Sequence, residues 1–92
     1  MALPIRHEPA ARRFAADVAG ATAYLTYREV DEVTLDFDHT FVPPPSRGGG
    51  IASQLTQHAL EYARQRGLRV VPSCPFVAAY IQRHPEYRDL RV

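Results

Sequence analysis

The sequence predicts an α+β domain in which antiparallel strands come first and an α-β-α run follows, with three-layer packing. Three observations predict it. Apolar residues recur with period two before residue 40, they recur every three to four residues after residue 50, and a Pro/Gly-rich stretch at 43–50 separates the two patterns. The 92 residues suit one domain spanning 1–92. With 46% hydrophobic and 23% charged residues the chain carries enough apolar surface to fold.

Taken in order, residues 12–18 satisfy two templates. Ala11, Phe14, Ala15 and Val18 suit a helical face, whereas Phe14, Ala16 and Val18 alternate; the short Ala19-Gly20 connection favours a strand. Ala21, Ala23, Leu25 and Tyr27 alternate next, and Val33, Leu35 and Phe37 alternate with Thr34, Asp36 and Asp38. The polar residues 29–31 connect these two runs, so they read as an antiparallel hairpin, with Asp36 and Asp38 on its solvated face. After the glycines, Ile51, Leu55, Ala59 and Tyr62 or Ala63 mark an amphipathic helix that runs to Arg66 and closes on Gly67. Residues 68–71 form a short strand that Pro72 ends, because proline has no N–H for a ladder. Ser73 or Cys74 then caps a second helix with Pro75 in its first turn, Val77, Tyr80 and Ile81 on one face, and His84-Pro85 as its stop.

Composition narrows the function. All eleven basic residues are arginine, so lysine chemistry belongs to a partner. Residues 1–46 carry four arginines against seven acids, and 47–92 carry seven against three. This basic half draws a small anion, but it is too scattered for the concentrated stripe that nucleic-acid binding needs. One cysteine and four dispersed histidines make neither a disulfide nor a zinc cluster, so no metal is expected. No apolar run approaches the roughly 18 residues of a membrane span, which predicts a cytoplasmic protein away from membranes, as a monomer or weak homodimer.

Arg47, Gly48, Gly49, Gly50, Ile51 and Ala52 lie between a strand and a helix start. Such a place binds phosphate: the first amides of a helix are unpaired, and glycine removes the Cβ that keeps an anion at a distance. The bland account of the same residues is a flexible spacer. Cys74 stands beside the start of the second helix, where a thiolate is stabilised; the alternative is a small buried hydrophobe. His39, ending the strand before the loop, is a candidate base for Cys74 or for an incoming amine.

Arg47, Gly50 and Ala52 stand in the order Arg/Gln-x-x-Gly-x-Gly/Ala, which resembles the acyl-CoA motif of the GNAT superfamily of N-acetyltransferases. The segments His39-Thr40-Phe41-Val42-Pro43 and Val71-Pro72-Ser73-Cys74-Pro75-Phe76-Val77, with Tyr80, His84-Pro85 and Tyr87, resemble its compact single-domain members over residues 12–90. The resemblance implies a truncated GNAT-like fold without the helices that full-length members insert after the first strand. It also implies binding of acetyl-CoA, with the loop holding the pyrophosphate, amides near Val42 polarising the thioester carbonyl, and transfer to an amine acceptor that it leaves unnamed. Transfer is either direct or by way of an acyl group on Cys74, which a Pro-x-Cys at the CoA site suggests. Pro44, Pro45 and Gly49 depart from the family's usual residues. A non-catalytic module that binds CoA or a protein is the alternative; a Cys-His hydrolase lacks a third residue and leaves the glycines unexplained.

Overall fold

The computed structural model describes residues 3–92. Its strands are β1 (Arg6–Glu8), β2 (Arg13–Val18), β3 (Ala21–Asp31), β4 (Thr34–Phe41) and β5 (Arg69–Val71), and its helices α1 (Ile51–Arg66) and α2 (Pro75–Arg83). They build one five-stranded sheet in the order β1-β2-β3-β4-β5. The first four strands are antiparallel neighbours; β5 runs parallel to β4, and α1 makes the crossover that a parallel pair requires.

The ambiguous segment is strand β2, with Phe14 opposite Leu25 on β3. Its turn decides the matter: Ala19 and Gly20 both sit at positive φ, 52° and 79°, the pairing whose twist matches a two-residue hairpin. The β3–β4 hairpin is longer than the alternation suggested. Residues 29–31 belong to β3, and Val30 is an extra residue between the Glu29–Leu35 and Asp31–Thr34 pairs. The turn therefore falls at Glu32 and Val33, so Val33 is 55% exposed and does not share the buried face of Leu35 and Phe37. Asp31 Oδ1 accepts from the Val33 amide at 2.9 Å and fixes that turn.

β1 left no pattern in the sequence, being three residues long and polar. It is held by pairing: Arg6 to Ala15, His7 to Phe14, Glu8 to Arg13. Past it, residues 85–90 form a 3-10 helix after α2. Gly67 takes φ 68° and closes α1 by donating to the carbonyls of Ala63 and Arg64. The core gathers Phe14, Leu25, Phe37 and Val70 from the sheet, Leu55, Ala59 and Leu60 from α1, and Val77 and Ile81 from α2.

Asp36 departs from the solvated-face expectation, for it is only 3% exposed. Around it β4 is buried on both faces, from Thr34 to Phe37. Burial disfavours its charge, but the neighbouring Ser73 and the Arg28 guanidinium, 2.8 Å from Oδ2, outweigh that and hold the carboxyl below its ordinary value, while Oδ1 has no partner among the described residues. A depressed folded-state pKa adds stability above the unfolded value of about 3.9 that disappears as pH falls through the folded one. Asp36→Asn is expected to cost about 1–3 kcal/mol at pH 7 and less at about pH 3, below the unfolded value. Denaturant titrations at the two pH values measure this; an equal loss at both would assign Asp36 a purely steric role.

Candidate functional site

β4 and β5 stay paired only where Thr34, Leu35 and Asp36 face Arg69, Val70 and Val71. Past Val71 the two segments are joined again by a bond from the Cys74 amide to the Phe37 carbonyl at 2.9 Å. Beyond it the two chains part. Pro72 has no amide to continue the ladder, and β4 bulges at Asp38, because Thr26 opposes His39 whereas Tyr27 opposes Phe37. The gap opens into a cleft of about 540 Å³. Its walls are His39, Thr40, Phe41 and Val42 from the end of β4, Ser46, Arg47, Gly48 and Gly50 from the loop, Ile51, Ala52 and Ser53 from the first turn of α1, and Phe76 from α2.

The loop is a built turn, not a spacer. The Ser46 amide donates to Pro43 at 2.9 Å and the Arg47 amide to Pro44 at 3.3 Å. Arg47 Nε donates to the Val42 carbonyl at 2.8 Å, with its guanidinium over the Phe41 ring at 5.9 Å. Gly48 and Gly50 sit at φ 88° and 80°, in the left-handed region. Gly50 is the N-cap of α1; no side chain caps this end and no acid stands in its first turn. The early amides of a sixteen-residue helix are thus left for an outside acceptor.

Most of the expected residues meet here. His39, Val42, Arg47, Gly48, Gly50, Ile51 and Ala52 all line the cleft; Gly49 lies in the loop without lining it, and a Cβ on it would meet only the Ser46 carbonyl, at 3.8 Å. Cys74 caps α2 as expected but is 6% exposed, packed in the core, and outside the lining. The pairing of His39 with Cys74 is not formed. Register puts His39 beside Thr26 on one face of the sheet, while Thr40, opposite Leu25, is on the other and meets Cys74 Sγ at 3.5 Å. The bulge causes this, by shifting which residues of β4 face the thiol. Thr40, Phe41, Ser46, Ser53 and Phe76 were missed as lining residues; only the parity of β4 could have pointed to Thr40.

A model of the GCN5-related N-acetyl-transferase family matches residues 13–90. The chain belongs to this family. It is 33% identical over 86 residues to the human protein NATD1, covering 89% of this chain and 76% of that one. NATD1 of Xenopus tropicalis is 30% identical over 83 residues, covering 88% and 76%. The NMR solution structure of a GCN5-like protein from Staphylococcus aureus superposes with a TM-score of 0.76 at 29% identity, over 98% of this chain and 88% of that one. The family's cosubstrate is acetyl-CoA. The residues here fit such a group: an uncapped helix start, two glycines in left-handed geometry, and a cleft leading from them into the gap beside β4. Among the described residues, no cluster of His, Cys, Asp or Glu could hold a metal, and no helix is long and apolar enough to cross a membrane.

The loop geometry separates its glycines. At Gly48 and Gly50 an added Cβ meets nothing within 4 Å, so the cost of alanine there is the left-handed backbone alone. Gly48→Ala and Gly50→Ala are each expected to lose about 1–2 kcal/mol, and Gly49→Ala to stay within about 0.5 kcal/mol of the parent. Urea denaturation of the three variants checks this, and three equal losses would contradict the loop conformation.

Proposed function

We propose that this protein is an acetyl-CoA-dependent N-acetyltransferase that works as a single domain and passes the acetyl group directly to an amine. The observation that carries the proposal is the cleft joining the uncapped start of α1 to the gap beyond the last β4–β5 pair. A pyrophosphate suits the amides around residues 50–53, and Arg47 keeps the turn in shape by its bond to Val42. When bound, acetyl-CoA supplies an activated acyl group. The amide of Val42 is the polarising donor for its carbonyl. His39, exposed at the mouth, accepts one proton from the acceptor's ammonium nitrogen; as the new N–C bond forms and the C–S bond breaks, the second proton lost by that nitrogen goes to the departing thiolate. The direct route is favoured over an acyl-cysteine because Cys74 is buried under Thr40 with no imidazole bonded to it.

His39→Ala is expected to keep acetyl-CoA affinity within about threefold, under roughly 0.7 kcal/mol, while kcat falls about 10²- to 10⁴-fold. Gly50→Ala is expected to lose affinity instead. Calorimetry with acetyl-CoA and a coupled thiol-release assay on small amines measure the two effects. Binding without turnover on any amine would give the non-catalytic module. An adduct of about 42 Da on Cys74 that disappears when an amine is added would restore the covalent route.

A further inference from the structure

The segment before residue 12 is fastened to the domain in its own way. The Tyr27 amide donates to the Arg12 carbonyl at 3.0 Å and Arg12 sits at φ 49°, so the chain is pinned there as it turns into β2. N-terminal to that point β1 has three paired residues, and Leu3 and Ile5 lie beside α1. The Leu3 amide donates to Gln54 Oε1 at 3.0 Å, yet a groove of about 230 Å³, lined by Leu3, Ile5, Gln54, Gln57, His58 and Glu61, runs between segment and helix. On the outer face Arg6 and Glu8 pair with each other and with Asp17 and Arg13. Ion pairs this close to water hold weakly. They also do not switch in the histidine range, because Glu8 is held below its ordinary value by Arg6 and Arg13, and Asp17 by Thr22 and Arg6.

On the inner face the fastening is the half-buried His7 ring, which stacks on Phe14 at 4.5 Å, meets the edge of Tyr62 at 4.6 Å and shares a hydrogen bond of 2.7 Å with the Tyr27 hydroxyl. Its surroundings supply no negative charge. β2 presents Phe14, and β3 presents Tyr27, whose charged neighbours Arg12 and Glu29 are paired with each other. From α1 come Tyr62, with the Arg66 guanidinium 5.0 Å from its ring centre, and His58, edge-on to Phe14 at 5.6 Å. Among the described residues no carboxylate bonds the ring, so a proton on it stands near Arg66 and His58 without a counter-charge. We infer that residues 3–8 are a pH-operated strap, docked while the His7 ring is neutral and lifted from Phe14 and Tyr62, about the fixed point at Arg12, when the ring is protonated. The docked ring binds its proton less firmly than a free one, through burial first and then Arg66 and His58. Its contribution to docking is therefore complete above the free value of about 6.5 and is lost as pH falls from there through the docked value. Lifting bares Phe14 and the edge of β2, and an unpaired strand edge is a template for another strand.

Amide hydrogen exchange on the whole protein, corrected for its intrinsic pH dependence, reads the strap directly. Between about pH 7.5 and about pH 5, the range that brackets histidine titration, protection of β1 and of Arg13–Ala15 opposite it is expected to fall. The fall should be at least about threefold relative to core amides of α1 such as Leu60, and it should follow the titration of the His7 ring recorded by NMR. His7→Phe keeps a ring on Phe14 and cannot titrate, so it should abolish the pH dependence, whereas His58→Gln should retain it. Should His7→Phe leave the strap undocked at every pH, the parent protein decides: a loss of protection that coincides with the His7 titration supports the strap. Protection that stays constant over this range, a loss that tracks His39, His58 or His84 instead, or a loss that persists in a docked His7→Phe protein would overturn it.

Discussion

The separation of β4 from β5 after three paired residues is the constraint on which the rest of the molecule turns. Had the ladder continued, the end of β4 would be closed on both edges and the start of α1 would face a wall of backbone. It stops because β5 ends at Pro72 and because the extra residue Asp38 bends β4 away. The same bulge sets parity. It sends His39 to one face and Thr40 to the other, so the cleft receives side chains from both sides of the sheet.

A gap of this kind weakens a small domain unless the helix beside it is anchored elsewhere. α1 is anchored along its length. Towards the N-terminal strands, His7 stacks on Phe14 at 4.5 Å, meets the edge of Tyr62 at 4.6 Å and shares a hydrogen bond of 2.7 Å with the Tyr27 hydroxyl. Burial lowers the His7 pKa, and Arg66 and then His58 push the same way, which favours the neutral ring within its aromatic surroundings. At the other side Tyr87 donates to Glu61 at 2.6 Å and Arg64 bonds Asp89 at 2.9 Å, tying the last 3-10 helix to α1. Burial and then the Glu61 carboxylate raise the Tyr87 hydroxyl well above its usual range, which keeps it a donor.

These anchors explain how a chain this short keeps an open cleft. The loop at 43–50 adds to them, since its three prolines form a hydrogen-bonded turn and Gly48 and Gly50 hold left-handed angles. What composition presents as slack is a rigid entry to the helix, stiffened by the bond from Arg47 to Val42.

By itself the sequence determined the α+β class, the strands from residue 12 onward, both helices with their Gly67 and Pro85 ends, and the glycine loop that leads into the first of them. Each of these is local: alternation, helical period, capping and left-handed glycine act within a few residues. The resemblance carried by Arg47, Gly50 and Ala52 supplied the family. Tertiary structure decided the rest. β1 exists only because its partner strand completes it, and Asp36 is buried only because the sheet is covered at that point. Whether His39 meets Cys74 depended on one extra residue in β4, opposite a strand distant in sequence. A bulge reverses which side chains share a face, and no period in a single strand records it, because it is defined by the register between two.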